Sequence, residues 1–438
     1  MSAADGIGDV GTAGDVDTEG HVGGGTDTSV DGPLLEVEDL RTWFDTPRGT
    51  IRAVDGVSLT LEQGRTLGIV GESGSGKTVL ARSVMNLLPS RALVPTGGQV
   101  RFQGQDIRGL GVRPMRRYWG REMAMVFQDP MTSLNPVVKV GRQITESLRY
   151  HLKLSRRDAR ARAVELLRTV GLPAPERRID EYPHQMSGGM RQRVTVAIAL
   201  ACSPRLLIAD EPTTALDVTV QRQILDLLEA QQQDRHMAMI LVTHDLGVVA
   251  NRTDEIAVMY AGQVVEQAPT ATLFGRMRHP YTEALLGSIP RVENPSHTLL
   301  AAIPGRPPDL ANLPPGCHFA PRCRYAQDRC LAEEPQLVMA DGDDGDSHLH
   351  RCFFPVGTPE GDAARAHNEA AGRNAFGTPL TFNGAAEPPH AAPFDRPLAA
   401  TTAAVRGGGT VLDLGTDATA APSAGAPSAD GTDERETL

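Results

Sequence analysis

The rhythm of hydrophobic and polar positions changes several times along this 438-residue chain. Residues 1–33 are mostly Gly, Asp, Thr and Val with no periodicity, which predicts a disordered tail. From Leu34 the pattern tightens. Leu35-Glu-Val-Glu-Asp-Leu40 alternates as a half-buried strand does, and so does Ala53-Val-Asp-Gly-Val-Ser-Leu-Thr-Leu61. Gly97–Gln103 adds a third short strand, and together these predict an antiparallel β element. Leu67-Gly-Ile-Val70 is an uninterrupted apolar run, followed by a glycine-rich turn and the helix-like Val79–Leu88. Apolar residues at 159, 163, 166, 167 and 170 predict a helix over Asp158–Val170, closed by Gly171, and Val194–Cys202 reads as a buried helix. Arg205–Asp210 and Ala238–Thr243 are expected to be buried parallel strands with the helix Val218–Gln231 between them. Beyond Arg291 the chain turns Pro-rich and irregular, and from Val356 Ala, Gly, Pro and Thr dominate without periodicity, which predicts a second disordered tail.

Composition changes the picture mainly through charge. The net charge of −11 resides in the ends. Residues 1–33 hold seven acids and no base, residues 356–438 eleven acids and five bases, so the middle carries 36 acids against 38 bases. A near-neutral middle lacks the basic face of a nucleic-acid binder and the polybasic stretch of a lipid anchor. No apolar run approaches eighteen residues, and the acidic, Gly-rich N-terminus has no basic or apolar secretory region. A cytoplasmic protein is expected.

The glycine-rich turn is Gly71-Glu72-Ser73-Gly74-Ser75-Gly76-Lys77-Thr78. In a strand–turn–helix context G-x-x-x-x-G-K-[ST] is a phosphate cradle, with Lys77 reaching the β- and γ-phosphates and Thr78 ligating Mg²⁺. The chain has only three lysines, so one in this slot points to chemistry that a compact ammonium serves better than a guanidinium. Four further features follow. The strand ending in Asp210-Glu211 offers one carboxylate for Mg²⁺ and a second as general base. Gln128 stands at a strand edge, able to orient water or touch Mg²⁺, and His244 follows a buried strand where it can reach a γ-phosphate. Ser187-Gly188-Gly189-Met190 opens a helix as a second anion-binding turn.

Taken in order and spacing, these motifs resemble the ATP-binding cassette (ABC) ATPase family over roughly residues 34–262. The resemblance implies an α/β fold: a P-loop NTPase cassette with a RecA-like core, an antiparallel β part and a helical subdomain at about 129–200. It makes Gly71–Thr78 the Walker A turn, Gln128 the Q-loop and Ser187–Met190 the signature. Asp210 becomes the Walker B residue, Glu211 the catalytic glutamate, Ala215-Leu-Asp217 the D-loop and His244 the switch histidine. The signature departs from Leu-Ser-Gly-Gly-Gln at its first and last positions, where Met186 and Met190 stand. Phe44, with Trp43 as its neighbour, is expected to stack on adenine, and Arg52 could do so instead. Two cassettes of this family close head to tail, each signature completing the other's ATP site.

The flanks narrow the resemblance. Val126–Pro136, Glu211–Val220, His279-Pro-Tyr-Thr-Glu-Ala-Leu-Leu286 and Pro314–Cys323 look like oligopeptide/dipeptide permease ATP-binding subunits, extending it to about residue 355. It implies an ATPase driving peptide import from the cytoplasmic face of the membrane. The implied partners are a second ATPase subunit, two transmembrane permease subunits contacted through Asp129–Gln143, and an extracytoplasmic binding protein. A nickel or other small-solute importer of the same subfamily, a soluble ABC ATPase and a redox-sensing regulator remain alternatives. Residues 263–355 form a C-terminal extension carrying Cys317, Cys323, Cys330 and Cys352 in a C-x5-C-x6-C-x21-C pattern, while Cys202 lies apart in an apolar helix. Four cysteines in a Pro-rich region with little evident core suggest a metal centre that supplies folding energy. The resembled subfamily implies a 4Fe-4S cluster; zinc, with His318, His348 or His350 as further ligands, and free thiols stay open.

Overall fold

The computed structural model describes residues 32–88, 93–94, 96–214, 216–289, 303–341 and 347–380. The expected tail at 1–33 falls almost wholly outside these residues, as do Ala215 of the expected D-loop and positions 381–438.

Two sheets organise the chain. The first is antiparallel: β1 (Leu35–Thr46) lies between β2 (Gly49–Leu61) and β5 (Gln99–Phe102), with β4 (Leu93–Val94) also on β1 and β6 (Gln105–Asp106) beyond β5. The second has eight strands. Its parallel part runs β10 (Glu255–Tyr260), β3 (Thr66–Val70), β9 (Ala238–Thr243), β8 (Leu206–Asp210) and β7 (Met123–Val126). β11 (Gln263–Pro269), β13 (Leu349–His350) and β12 (Val338–Met339) continue it antiparallel on the far side of β10.

The apolar runs of β3, β8 and β9 make sense in this sheet because both of its faces are covered. Successive side chains point to opposite faces. Leu207 and Ala209 join one core with Met239 and Leu241, whereas Leu206 and Ile208 join another with Leu67, Ile69 and Ile240. The second core lies between the two sheets, with Val37, Val57 and Phe102, and also takes in Leu80 and Val84 of α1 (Lys77–Val84).

After α2 (Val112–Met115) come α3 (Pro130–Ser133), α4 (Val140–His151), α5 (Arg156–Thr169), α6 (Pro175–Arg178) and α7 (Gly188–Ala199), of which α4, α5 and α7 build a layer on the first core. Ile144 and Leu148 of α4 meet Ala159, Ala163, Leu166 and Leu167 of α5 and Val194 of α7 there. Cys202 lies beyond α7, in a turn rather than the expected helix, its buried thiol 3.8 Å from the Ser147 carbonyl. The helix before β9 is α8 (Val218–Arg235), capped by Asp217, which accepts from the Val220 amide at 2.9 Å. Short α9 (Leu246–Val249) follows β9, and α10 (Thr270–Arg276) and α11 (Pro280–Gly287) follow β11.

Two expectations for the C-terminal part need correction. The extension does bury apolar residues, and it shares its core: Phe319, Ala320, Tyr325 and Ala326 lie in the same cluster as α4, α5 and α7. A buried carboxylate also ties its segments to one another. Fully buried Glu266 of β11 accepts from the amides of Arg278 and His279 and lies 2.8 Å from His348 Nε2. Nor does the ordered chain stop at 355. After α12 (Asp328–Ala332), Pro359–Ala371 forms α13. Thr358 accepts from the Gly361 amide, Pro359 starts the helix, Glu360 and Asp362 occupy its first turn, and Gly372 closes it at φ +67°. Buried Asn368 then donates to the carbonyls of Arg324 and Ala326. These caps are legible at 358–372; the Ala-rich composition masked them.

Candidate functional site

Four loops leave the carboxyl ends of four strands of the parallel sheet, the edge at which open α/β sheets bind ligands. β3 ends at Val70 and feeds Gly71–Thr78; β7 ends at Val126, just before Gln128; β8 ends at Asp210, before Glu211; β9 ends at Thr243, before His244.

Glycine is required twice in the first loop. Gly71 (φ +152°) and Gly76 (φ +102°) press on backbone: a Cβ would lie 2.2 Å from the Met259 carbonyl oxygen at the first and 2.0 Å from that of Ala53 at the second. Ser73 and Gly74 are exposed at the tip, while Ser75 is buried. Lys77 starts α1 and folds its ammonium back onto the carbonyls of Gly71 (2.8 Å) and Glu72 (3.0 Å). Burial lowers its pKa, opposed by the carboxylates of Glu211, Asp210 and Glu72.

Thr78 donates to Asp210 Oδ1 at 3.0 Å. The other Asp210 oxygen is buried without a hydrogen-bond partner, and burial pushes this carboxyl above its usual range. An orphaned carboxylate oxygen beside a threonine hydroxyl is a fitting position for a cation, which would supply the missing partner.

Glu211 stands in the left-handed region (φ +44°), uncommon for a residue with a side chain, and its amide donates to the Val242 carbonyl. Its Oε2 collects three groups: Gln128 Nε2 at 3.0 Å, Thr214 Oγ1 at 2.9 Å and His244 Nδ1 at 3.6 Å. The expected Gln128, Glu211 and His244 therefore converge on one oxygen. Thr214 was not anticipated; a hydroxyl three residues after a carboxylate in a turn was its only signal.

Ser187 caps the twelve-residue α7, accepting from the Met190 amide at 3.4 Å. Ser187 and Gly188 are exposed, and a Cβ on Gly189 would come within 2.8 Å of Val220 on α8. Phe44 lies half-buried on β1, paired with Ile51; the adjacent Trp43 carries the Arg52 guanidinium over its ring at 4.8 Å and donates to Asp55.

Glu72 behaves differently from the rest of its loop. Its amide donates to the Tyr281 hydroxyl (2.8 Å) and its carboxylate takes both arms of Arg322, at 2.6 and 2.9 Å. Neither partner was foreseen, since 250 residues separate Arg322 from Glu72.

The cysteines of the extension line one enclosed cavity together with His279, Phe319, Tyr325 and Phe354. Burial pushes the Cys317 thiol up to about 11 and those of Cys323 and Cys352 well above the ordinary value, each reinforced by neighbouring cysteines. The amides of Tyr325 and Phe354 point at the sulfurs of Cys323 and Cys352, at 3.3 and 3.4 Å. Among the described residues no group of three or more His, Cys, Asp or Glu could hold a metal ion, so the expected metal centre finds no formed site here.

Comparison with known proteins supplies the identity. Residues 54–214 match the ABC transporter family model, and residues 265–330 match the oligopeptide/dipeptide transporter C-terminal region. The oligopeptide transport ATP-binding protein OppD of Bacillus subtilis is 52% identical over 353 residues, 79% of this chain and 97% of that protein. The chain belongs to the ABC transporter family. The dipeptide transport ATP-binding protein DppD of Escherichia coli is 48% identical, over 74% of this chain and 97% of its own. A putative peptide import ATP-binding protein of Brucella abortus is 51% identical, over 71% and 93%. The ABC match holds Gly71–Thr78, Gln128, Ser187–Met190, Asp210 and Glu211, while the C-terminal match holds Glu266, Tyr281, Arg322 and three of the four cavity cysteines.

Proposed function

We propose that this chain is the ATP-hydrolysing subunit that powers peptide import through an ABC transporter. The convergence of Gln128, Thr214 and His244 on Glu211, beside Asp210 and the P-loop, is the observation that carries the chemistry. The names of the relatives and the C-terminal match support peptide as the cargo class.

In this reading the P-loop from Gly71 to Thr78 holds the phosphates, with Lys77 leaving its carbonyls for the β- and γ-phosphate oxygens. Thr78, Asp210 and Gln128 would hold Mg²⁺, which would supply positive charge to offset that of the phosphates. Glu211 takes a proton from the attacking water, held in place by Gln128 and Thr214, and His244 donates toward the γ-phosphate. Phe44 stacks on adenine. Ser187, Gly188, Gly189 and Met190 act on the ATP of a second ATPase subunit, with Asp217 at the same junction. The exposure of Ser187 and Gly188 at a helix N-terminus supports a role across an interface.

No helix among the described residues is long and apolar enough to cross a membrane. Placement on the cytoplasmic face therefore rests on two transmembrane permease subunits, fed by an extracytoplasmic binding protein. Exposed Met131 and Val137 suit the permease contact within Asp129–Gln143. The four thiols are proposed to take an iron–sulfur cluster. The four cysteines line one cavity, which supports a shared centre. A four-iron cluster accepts thiolates spread around a larger body, and backbone amides aimed at two sulfurs suit it. Anaerobically purified protein should contain iron and absorb in the visible charge-transfer region; protein with neither would rule the cluster out.

The decisive experiment is uptake by membrane vesicles containing the reconstituted transporter. Labelled di- and oligopeptides should accumulate only with ATP inside the ATPase compartment. Accumulation of nickel with no peptide would assign the chain to the other branch of the subfamily.

A further inference from the structure

The P-loop of this chain is fastened at its second residue by the C-terminal extension. Glu72 has an amide, a carbonyl and a carboxylate, and all three are engaged: the amide by Tyr281 of α11, the carbonyl by Lys77, the carboxylate by Arg322. Arg322 is only 5% exposed and is itself held. Its Nε donates to the Pro304 carbonyl, one arm also reaches the Tyr260 hydroxyl at 3.3 Å, and the guanidinium lies 6.0 Å from the centroid of Phe319. Tyr260, Tyr281 and Phe319 pack against one another with centroids 4.6 to 5.3 Å apart. Arg322 also sits between Cys317 and Cys323, on the segment that lines the thiol cavity.

We propose that Arg322 is a positioning residue for the ATP site, bracing the P-loop through Glu72 so that the cysteine-bearing extension sets the geometry of the phosphate cradle. This rests on the reading of Gly71–Thr78 as the phosphate-binding turn. The geometry favours a brace over ordinary glue for two reasons. A two-armed contact fixes orientation as well as distance. It also acts on the one residue whose carbonyl shares Lys77 with Gly71, so a shift of Glu72 relocates the ammonium that must meet the phosphates.

The test uses the full chain and equilibrium titration with a fluorescent ATP analogue and Mg²⁺. Arg322→Gln and Glu72→Gln should each weaken binding about tenfold, roughly 1.4 kcal/mol. The double variant should be no weaker than either single one, because both remove the same contact. Arg322→Lys should recover part of the loss, and Tyr281→Phe, which keeps the ring and loses the amide's acceptor, should weaken binding severalfold even if Arg322→Gln folds poorly. Lys77→Ala separates the two levels. If wild type binds, Lys77→Ala does not and Arg322→Gln binds within twofold of wild type, the brace is wrong while the ATP site stands. A lowered melting temperature with unchanged affinity, or losses that multiply in the double variant, would likewise overturn it. If the wild-type chain fails to bind, the ATP-site reading falls and the brace with it.

Discussion

Replacing Glu266 with Gln tests whether one buried carboxylate locks β11 to the segments that precede α11 and β13. The carboxylate is fully buried and serves three donors: the amides of Arg278 and His279 and the ring of His348. An amide side chain keeps the volume and one oxygen but turns the other into a donor. Whichever way it is placed, its NH₂ meets at least one donating backbone amide. One buried amide left unpaired costs about 1–3 kcal/mol, and lost charge assistance adds about 1 kcal/mol. A loss of about 3 kcal/mol is expected, and Glu266→Ala, which orphans all the donors, should lose about 3–5 kcal/mol. Guanidinium unfolding followed by far-UV circular dichroism measures the loss. Limited proteolysis should show earlier cleavage within residues 303–341 in both variants. A Gln variant within about 0.5 kcal/mol of wild type, the scatter of ordinary surface substitutions, would refute the reasoning.

Other outcomes follow from the same geometry. Glu211→Gln should lower ATP turnover by about 10²–10⁴-fold while leaving nucleotide binding intact, since it removes a base and keeps an acceptor for Gln128 or Thr214; single-turnover assays with the reconstituted transporter would show it, and turnover within tenfold of wild type speaks against the base. Gly76→Ala should abolish nucleotide binding in the same titration, because its Cβ meets a backbone oxygen that cannot move aside. Buried His279, which accepts from the Tyr281 amide, has its pKa lowered to about 4 from 6.5, chiefly by burial. Between those values the unfolded chain binds a proton that the native one does not, so stability rises with pH across that window. At about 1.4 kcal/mol per unit, acidification from 6.5 to 4 should cost up to about 3 kcal/mol through this group. His279→Asn, which keeps a capping acceptor, should flatten that dependence when unfolding midpoints are compared at pH 7 and 5.

The ATPase half was legible because its signals are local. Gly71–Thr78 is a continuous run, and Asp210 and His244 each follow an apolar strand, so one stretch of sequence carries both the element and the chemistry. Strand order could not be read, and it is what turns separate motifs into a site: Gln128, Glu211 and His244 meet because β7, β8 and β9 are consecutive neighbours. The extension was read least well. Beyond α11 its elements include two-residue strands and a five-residue helix, too short to show a period, and its anchors are single long-range contacts such as Glu266 with His348 and Arg322 with Glu72. The run His279-Pro-Tyr281 stood out as a resemblance without a reason. The structure gives one: His279 caps α11, Pro280 starts it, and Tyr281 reaches the P-loop.

The antiparallel continuation of the large sheet bears on how this chain can be shortened. β11 is buried along nearly its whole length, and β13 pairs with it at Glu266 and Gln267. Ending the polypeptide just after β11 would strip that strand of its cover. It would present an apolar rim with unpaired amides and carbonyls, a ready template for intermolecular strand pairing. A truncated cassette should therefore self-associate in proportion to its concentration, whereas a chain retaining residues up to 380 keeps that rim closed.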